Sequence, residues 1–80
     1  MTAPVEVDKV LDVKGLLCPL PVIKLSKAIK EIEIGKVIEM QATDPGSEPD
    51  MDAWAKNTGH ELVAHNVQGD VFVFWVRRTK

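Results

Sequence analysis

The sequence predicts an α+β domain, a two-layer α/β sandwich with the element order βαβαββ. Three observations carry that expectation. An apolar alternation of period two opens the chain, two amphipathic stretches at helical spacing flank a second strand, and residues 60–78 read as a hairpin. A strand–helix–strand unit places its strands parallel. Both helices then start at one edge of the sheet and cover one of its faces.

Val5, Val7, Leu11 and Val13 share odd parity, interrupted by Lys9, and predict a first strand over residues 5–13. Gly15 permits a turn, and Pro19 and Pro21 open the next element, because a helix's first turn has no use for their missing N–H groups. Val22, Leu25, Ile29 and Ile32 follow at helical spacing, with Ile23 and Ala28 widening the stripe. This helix should end before Gly35. Ile38, Met40 and Ala42 alternate with Glu39, Gln41 and Thr43 in a second strand over 36–43. Asp44-Pro45-Gly46-Ser47 is turn chemistry, and Ser47 with Asp50 resembles a capping box ahead of a short helix over 48–58. Gly59 stops that helix, and runs over 60–67 and 71–78 flank the turn Gln68-Gly69-Asp70.

Length and composition narrow the function. Eighty residues without repeat or linker make one domain, residues 1–80, with residues 1–4 expected to be flexible. A formal net charge of −2 argues against a nucleic-acid binder that works by broad phosphate neutralisation. No stretch approaches the ~20 apolar residues of a membrane span, so no membrane partner is expected. Charges at Glu6, Asp8, Lys9, Asp12 and Lys14 interrupt any signal-peptide core. One cysteine forms no internal disulfide, and a reducing cytoplasm is the expected location.

That cysteine is the chemical centre of the sequence, in Cys18-Pro19-Leu20-Pro21. A cysteine just before a helix N-terminus feels the positive end of the helix dipole, which favours the thiolate. Two prolines fix the backbone around it and remove two amide donors. The alternative is a buried core cysteine, a common fate of a lone thiol. Cys18 lies in a turn outside both apolar stripes, which favours the reactive reading.

Gly15-Leu16-x-Cys18-Pro19-x-Pro21, then Asp44-Pro45, Trp54 and Gly59-His60-Glu61-Leu62, resemble the TusA-like (SirA-like) sulfur-carrier proteins from about residue 9 onward. The resemblance implies a four-stranded mixed sheet with two helices on one face. It implies that Cys18 accepts sulfane sulfur as a covalent persulfide, without a further cofactor or metal, and passes it to a protein acceptor. The donor would be a cysteine desulfurase or a rhodanese-like protein, and the sulfur would serve tRNA thiolation, cofactor biosynthesis or sulfur oxidation. Gly15, Pro19 and Pro21 would position the thiol; Lys24, Asp44 and Pro45 would tune it or dock a partner. Many members carry a basic residue where this chain has Leu17, and some have a second cysteine where it has Ala55. A single-cysteine carrier, monomeric or weakly oligomeric, remains.

Other residues have simpler readings. His60 and His65 lack metal-ligand spacing and read as solvated or hydrogen-bonded side chains. Asp44, Glu48, Asp50 and Asp52 complement a helix N-terminus or form a partner-selecting patch, and Lys24, Lys27 and Lys30 form a solvated helix face or a dock for an acidic partner. The last strand is apolar on both faces: Phe72, Phe74 and Val76 on one, Val71, Val73 and Trp75 on the other. A two-layer sandwich covers only one face, so either the second meets a partner or side chains wrap over both. The rival to a carrier is a small regulatory protein in which Cys18 is a redox sensor or structural. RNA binding is opposed by the charge and by the lack of stacking aromatics among basic residues.

Overall fold

Four strands, β1 (Lys9–Asp12), β2 (Val37–Ala42), β3 (Glu61–Gln68) and β4 (Val71–Arg77), form the sheet, and two helices, α1 (Leu20–Ala28) and α2 (Ser47–Thr58), follow β1 and β2. The computed structural model describes residues 5–17 and 19–80; the flexibility expected of residues 1–4 and the exposure expected of Cys18 lie outside them. The sheet order is β1-β2-β4-β3, with β1 parallel to β2 and the other pairs antiparallel. This is the expected mixed sheet in βαβαββ order. Among the described residues no helix is long and apolar enough to cross a membrane.

Register sorts the side chains into two cores. Ile38 lies opposite Val76, Met40 opposite Phe74 and Ala42 opposite Phe72. These residues, with Leu25, Ala28 and Ile29 of the first helical segment and Met51 and Trp54 of α2, form the core beneath the helices. The alternate positions Val37, Val73 and Trp75 form a second core on the other face, and Trp75 is only 1% exposed. Both apolar faces of β4 are therefore interior.

What covers the second face is the start of the chain. The first strand begins at Lys9 and not at Val5, because Asp8 ends the run. Its N–H donates to the Val37 carbonyl (2.9 Å), and its Oδ2 accepts from the Val37 N–H (2.9 Å). Val5 and Val7 pack on the Trp75 face, whereas Leu11 and Val13 face the helices. The odd-parity run is thus split at Asp8 into a strap and a strand. A bulge between Leu62 and Ala64 brings both Val63 and Ala64 onto the Trp75 face. The buried indole Nε1–H of Trp75 donates to Glu39 Oε1 (2.9 Å), and Gln41 Nε2 donates to Glu39 Oε2 (2.8 Å). The carboxylate in mid-strand is the polar partner that a buried tryptophan needs.

The helices depart from expectation at their ends. The first tightens after Ala28 into a 3-10 turn, Ile29–Glu31, and ends before Gly35 as expected, but Ile32, expected in its apolar stripe, is already extended. The second starts at Ser47 with Gly46 as its N-cap, one residue earlier than expected, and the capping box does not form. Ser47 is inside the helix, and its Oγ donates to the Asp44 carbonyl (2.7 Å).

Phe74→Ala and Trp75→Ala should each lower the unfolding free energy by about 3–5 kcal/mol. Urea denaturation measures it. A Trp75→Ala protein as stable as the parent would show that the strap side is not core.

Candidate functional site

Two loops meet at the edge of the sheet where α1 and α2 begin. Pairing of the parallel strands continues one residue past β1, with the Val13 N–H on the Gln41 carbonyl (2.9 Å). The chain then turns at Gly15, whose φ of 85° is the left-handed conformation that glycine adopts without strain. The Gly15 N–H donates to Thr43 Oγ1 (2.9 Å) in the loop that follows β2. Leu16 and Leu20 donate main-chain bonds to Val13 (3.2 Å) and Leu17 (3.0 Å). The residues on either side of Cys18 are therefore held, and the Gly15 loop is fastened to the threonine preceding Asp44. Thr43 carries no motif in the sequence; its only local signal is a hydroxyl at the end of a strand.

Cys18 itself lies outside the described residues. Pro19, its neighbour, is the N-cap of α1, and no side chain caps that helix. Pro21 does more than open the helix: it is fully buried. Pro21, Leu25 and Ala28 are spaced i, i+4 and i+7 and take the inward face. Ile23, expected to widen the apolar stripe, is consequently turned outward and is 46% exposed. With Leu17 at 71% and Leu20 at 46%, it gives the motif an exposed apolar collar. Pro19 also borders an open depression of about 280 Å³, lined by Val22, Asp50, Ala53, Trp54 and Asn57.

The remaining sequence candidates are dispersed. Lys24 sits with Lys27 on a groove between α1 and β1, beside the ion pair Lys9–Glu31 (2.9 Å). Asp44 shapes its own turn, with Oδ1 accepting from the Gly46 N–H (3.2 Å), and Pro45 is exposed at its tip. Trp54 links the helices: its Nε1–H donates to Ser26 Oγ (2.9 Å), and its ring stacks on His60 at 5.4 Å. Ser26 is a second residue missed in the sequence. A tryptophan at a helix–helix contact needs an acceptor, but its identity depends on the packing.

Among the described residues neither histidine joins the cysteine loop. His60 Nδ1 accepts from the Thr79 N–H (3.2 Å), and His65 stacks on Phe74 with Nε2 3.7 Å from Glu48 Oε2. Burial pushes the His60 pKa below its usual value, and the Arg78 and Lys80 charges push the same way.

A proline-bounded cysteine at a helix start, on an α/β sandwich of this topology, defines a class of small thiol proteins. A family model described as Sulfurtransferase TusA matches residues 9–78, and the chain belongs to that family. YrkI of Bacillus subtilis is 45% identical over 71 residues, covering 89% of this chain and 95% of its own length. The sulfur carrier protein TusA of Allochromatium vinosum is 40% identical over 74 residues, covering 92% and 97% respectively. The crystal structure of a SirA-like protein from Desulfitobacterium hafniense superposes with a TM-score of 0.77 at 23% identity, covering 90% of this chain and 99% of that one. That likeness supports the four-stranded, two-helix fold.

The lowered His60 pKa sets a pH dependence. Folded His60 holds its proton less tightly than the unfolded chain does, so its contribution to stability is full above about pH 6.5 and is lost as pH falls below it. The urea midpoint should therefore drop from about pH 7.5 to about pH 5.5, and drop less in His60→Gln. Equal slopes in the two proteins would remove His60 as the cause.

Proposed function

We propose that the protein is a sulfur carrier that holds sulfane sulfur as a persulfide on Cys18 and relays it between protein partners in the cytoplasm. Family membership, with Cys18 placed immediately before the N-cap of α1, is the observation that carries this reading. The helix dipole favours the thiolate at that place. The thiolate attacks the outer sulfur of a donor persulfide, the donor's S–S bond breaks, and the donor leaves as thiolate. A new S–S bond forms on Cys18, and the exchange is redox-neutral. Delivery to the acceptor repeats the step in reverse. No second cysteine is present to expel the cargo by closing a disulfide.

The collar of Leu17, Leu20 and Ile23 gives partners an apolar surface to desolvate around the sulfur. A cysteine desulfurase or a rhodanese-like protein has the chemistry to act as donor. The cargo is the covalently held sulfur itself, so no resident metal or organic cofactor is required. Gly15, Pro19 and Pro21 position the loop, and Asp44 with Pro45 shapes the loop beside it. Lys24, exposed on α1, offers a cation to an acidic partner.

Incubation with a persulfide donor should add one sulfur to the intact mass, removable by reductant, and Cys18→Ser should abolish the addition while its circular dichroism stays unchanged. Sulfur uptake by the serine protein would end the carrier reading. Asn retains the side-chain oxygen that holds the Asp44 turn but removes its charge. Asp44→Asn should therefore speed alkylation of Cys18 by iodoacetamide at neutral pH, less so in high salt. An unchanged rate would limit Asp44 to its turn.

A further inference from the structure

A second cavity, of about 410 Å³, opens at the opposite edge of the sheet, where the helical segments end. Its walls come from Ser26 and Lys30, from Trp54 and Thr58 of α2, and from the segment after β4 with Arg78 and Lys80. Ile29 and Trp54 give it an apolar floor. No Asp or Glu side chain lines it, in a chain whose net charge is −2. Three cations face one recess.

Part of that charge serves the fold. Arg78 Nη1 donates to the carbonyls of Ile32 (2.6 Å) and Lys30 (3.4 Å), and its Nε to the main-chain oxygen of Lys80 (3.0 Å). The negative ends of two helical segments, about half a charge each, offset roughly one of the three positive charges. About two remain. Among the described residues Lys30 and Lys80 make no ion pair, and Arg78 Nη2 has no acceptor. Like charges around a low-dielectric recess concentrate a field that draws counter-ions.

Two neutral donors add direction. Ser26 Oγ accepts from the Trp54 indole, so its own hydrogen is left to donate elsewhere. His60 Nδ1 accepts from the Thr79 N–H, so the proton of the neutral ring is on Nε2. Arg78 Nη2 is the part of the guanidinium left to donate to an oxyanion.

We propose that this cavity binds a small phosphate-class oxyanion of charge two or more, either inorganic or carried as a phosphate monoester. The site is separate from the cysteine loop and does not depend on the carrier reading. Titration of the 15N-labelled protein with inorganic phosphate, glycerol 3-phosphate and acetate at matched ionic strength tests it. The phosphate probes should move the Trp54 indole and the His60 and Thr79 amides saturably, at least about tenfold more tightly than acetate. Tighter binding of the ester would assign its organic body to the Ile29–Trp54 floor; equal binding would assign the phosphate alone. Lys30→Gln with Lys80→Gln should weaken both at least about tenfold, and Cys18→Ser should leave them unchanged. Bound phosphate should also raise the His60 pKa, followed by its ring resonances in the parent protein, which checks the site without any variant. Non-saturating shifts, shifts centred on Lys24 and Lys27, or a His60 titration unmoved by phosphate would each overturn the proposal.

Discussion

The structure depends on one strand that has no polar face. In β4 each side chain from Val73 to Val76 is buried, so the sheet requires cover on both sides. The two α-helices among the described residues both lie over Phe74 and Val76. The cover for Trp75 has to come from elsewhere, and the residues ahead of β1 provide it. Asp8 makes this possible: it satisfies the Val37 N–H at the start of β2, beside the point where the chain changes faces. The bulge in β3 adds Val63 and Ala64 to the same side. Glu39 then accepts the indole proton that this cover seals from water.

With its middle strand closed on both faces, the protein keeps its chemistry at the two edges. Parallel pairing of β1 and β2 brings the cysteine loop and the Asp44 turn to the edge where the helices start, joined by the bond from Gly15 to Thr43. The opposite edge gathers cations where the helical segments end. Trp54 borders both depressions, held to α1 through Ser26 and stacked on His60. Its packing ties together the helices that border both depressions.

The element order, the parallel pair and the cysteine motif were legible because each rests on local signals: period, turn residues and a proline-bounded thiol. The helix boundaries were less legible. Pro21 reads as punctuation in the sequence, yet it occupies the first inward position of α1 and turns Ile23 outward. Ser47 reads as a cap, yet its hydroxyl serves the turn before it. In both cases a shift of one or two residues in the helix start decides which side chains face inward, and no local signal sets that shift.

The sequence by itself determined that β4 is apolar on both faces and that Cys18 precedes a helix, since alternation and composition are properties of adjacent residues. Only the tertiary structure decided what covers the second face. Val5 and Val7 share parity with Leu11 and Val13, and a period-two pattern cannot record that a chain crosses to the other side of a sheet between them. The basic cavity has the same origin. Lys30 is remote in sequence from Arg78 and Lys80, and they converge because β4 runs antiparallel to β2 and delivers residues 78–80 beside the end of the first helical segment. Convergence of this kind is set by long-range pairing, which residue spacing does not encode.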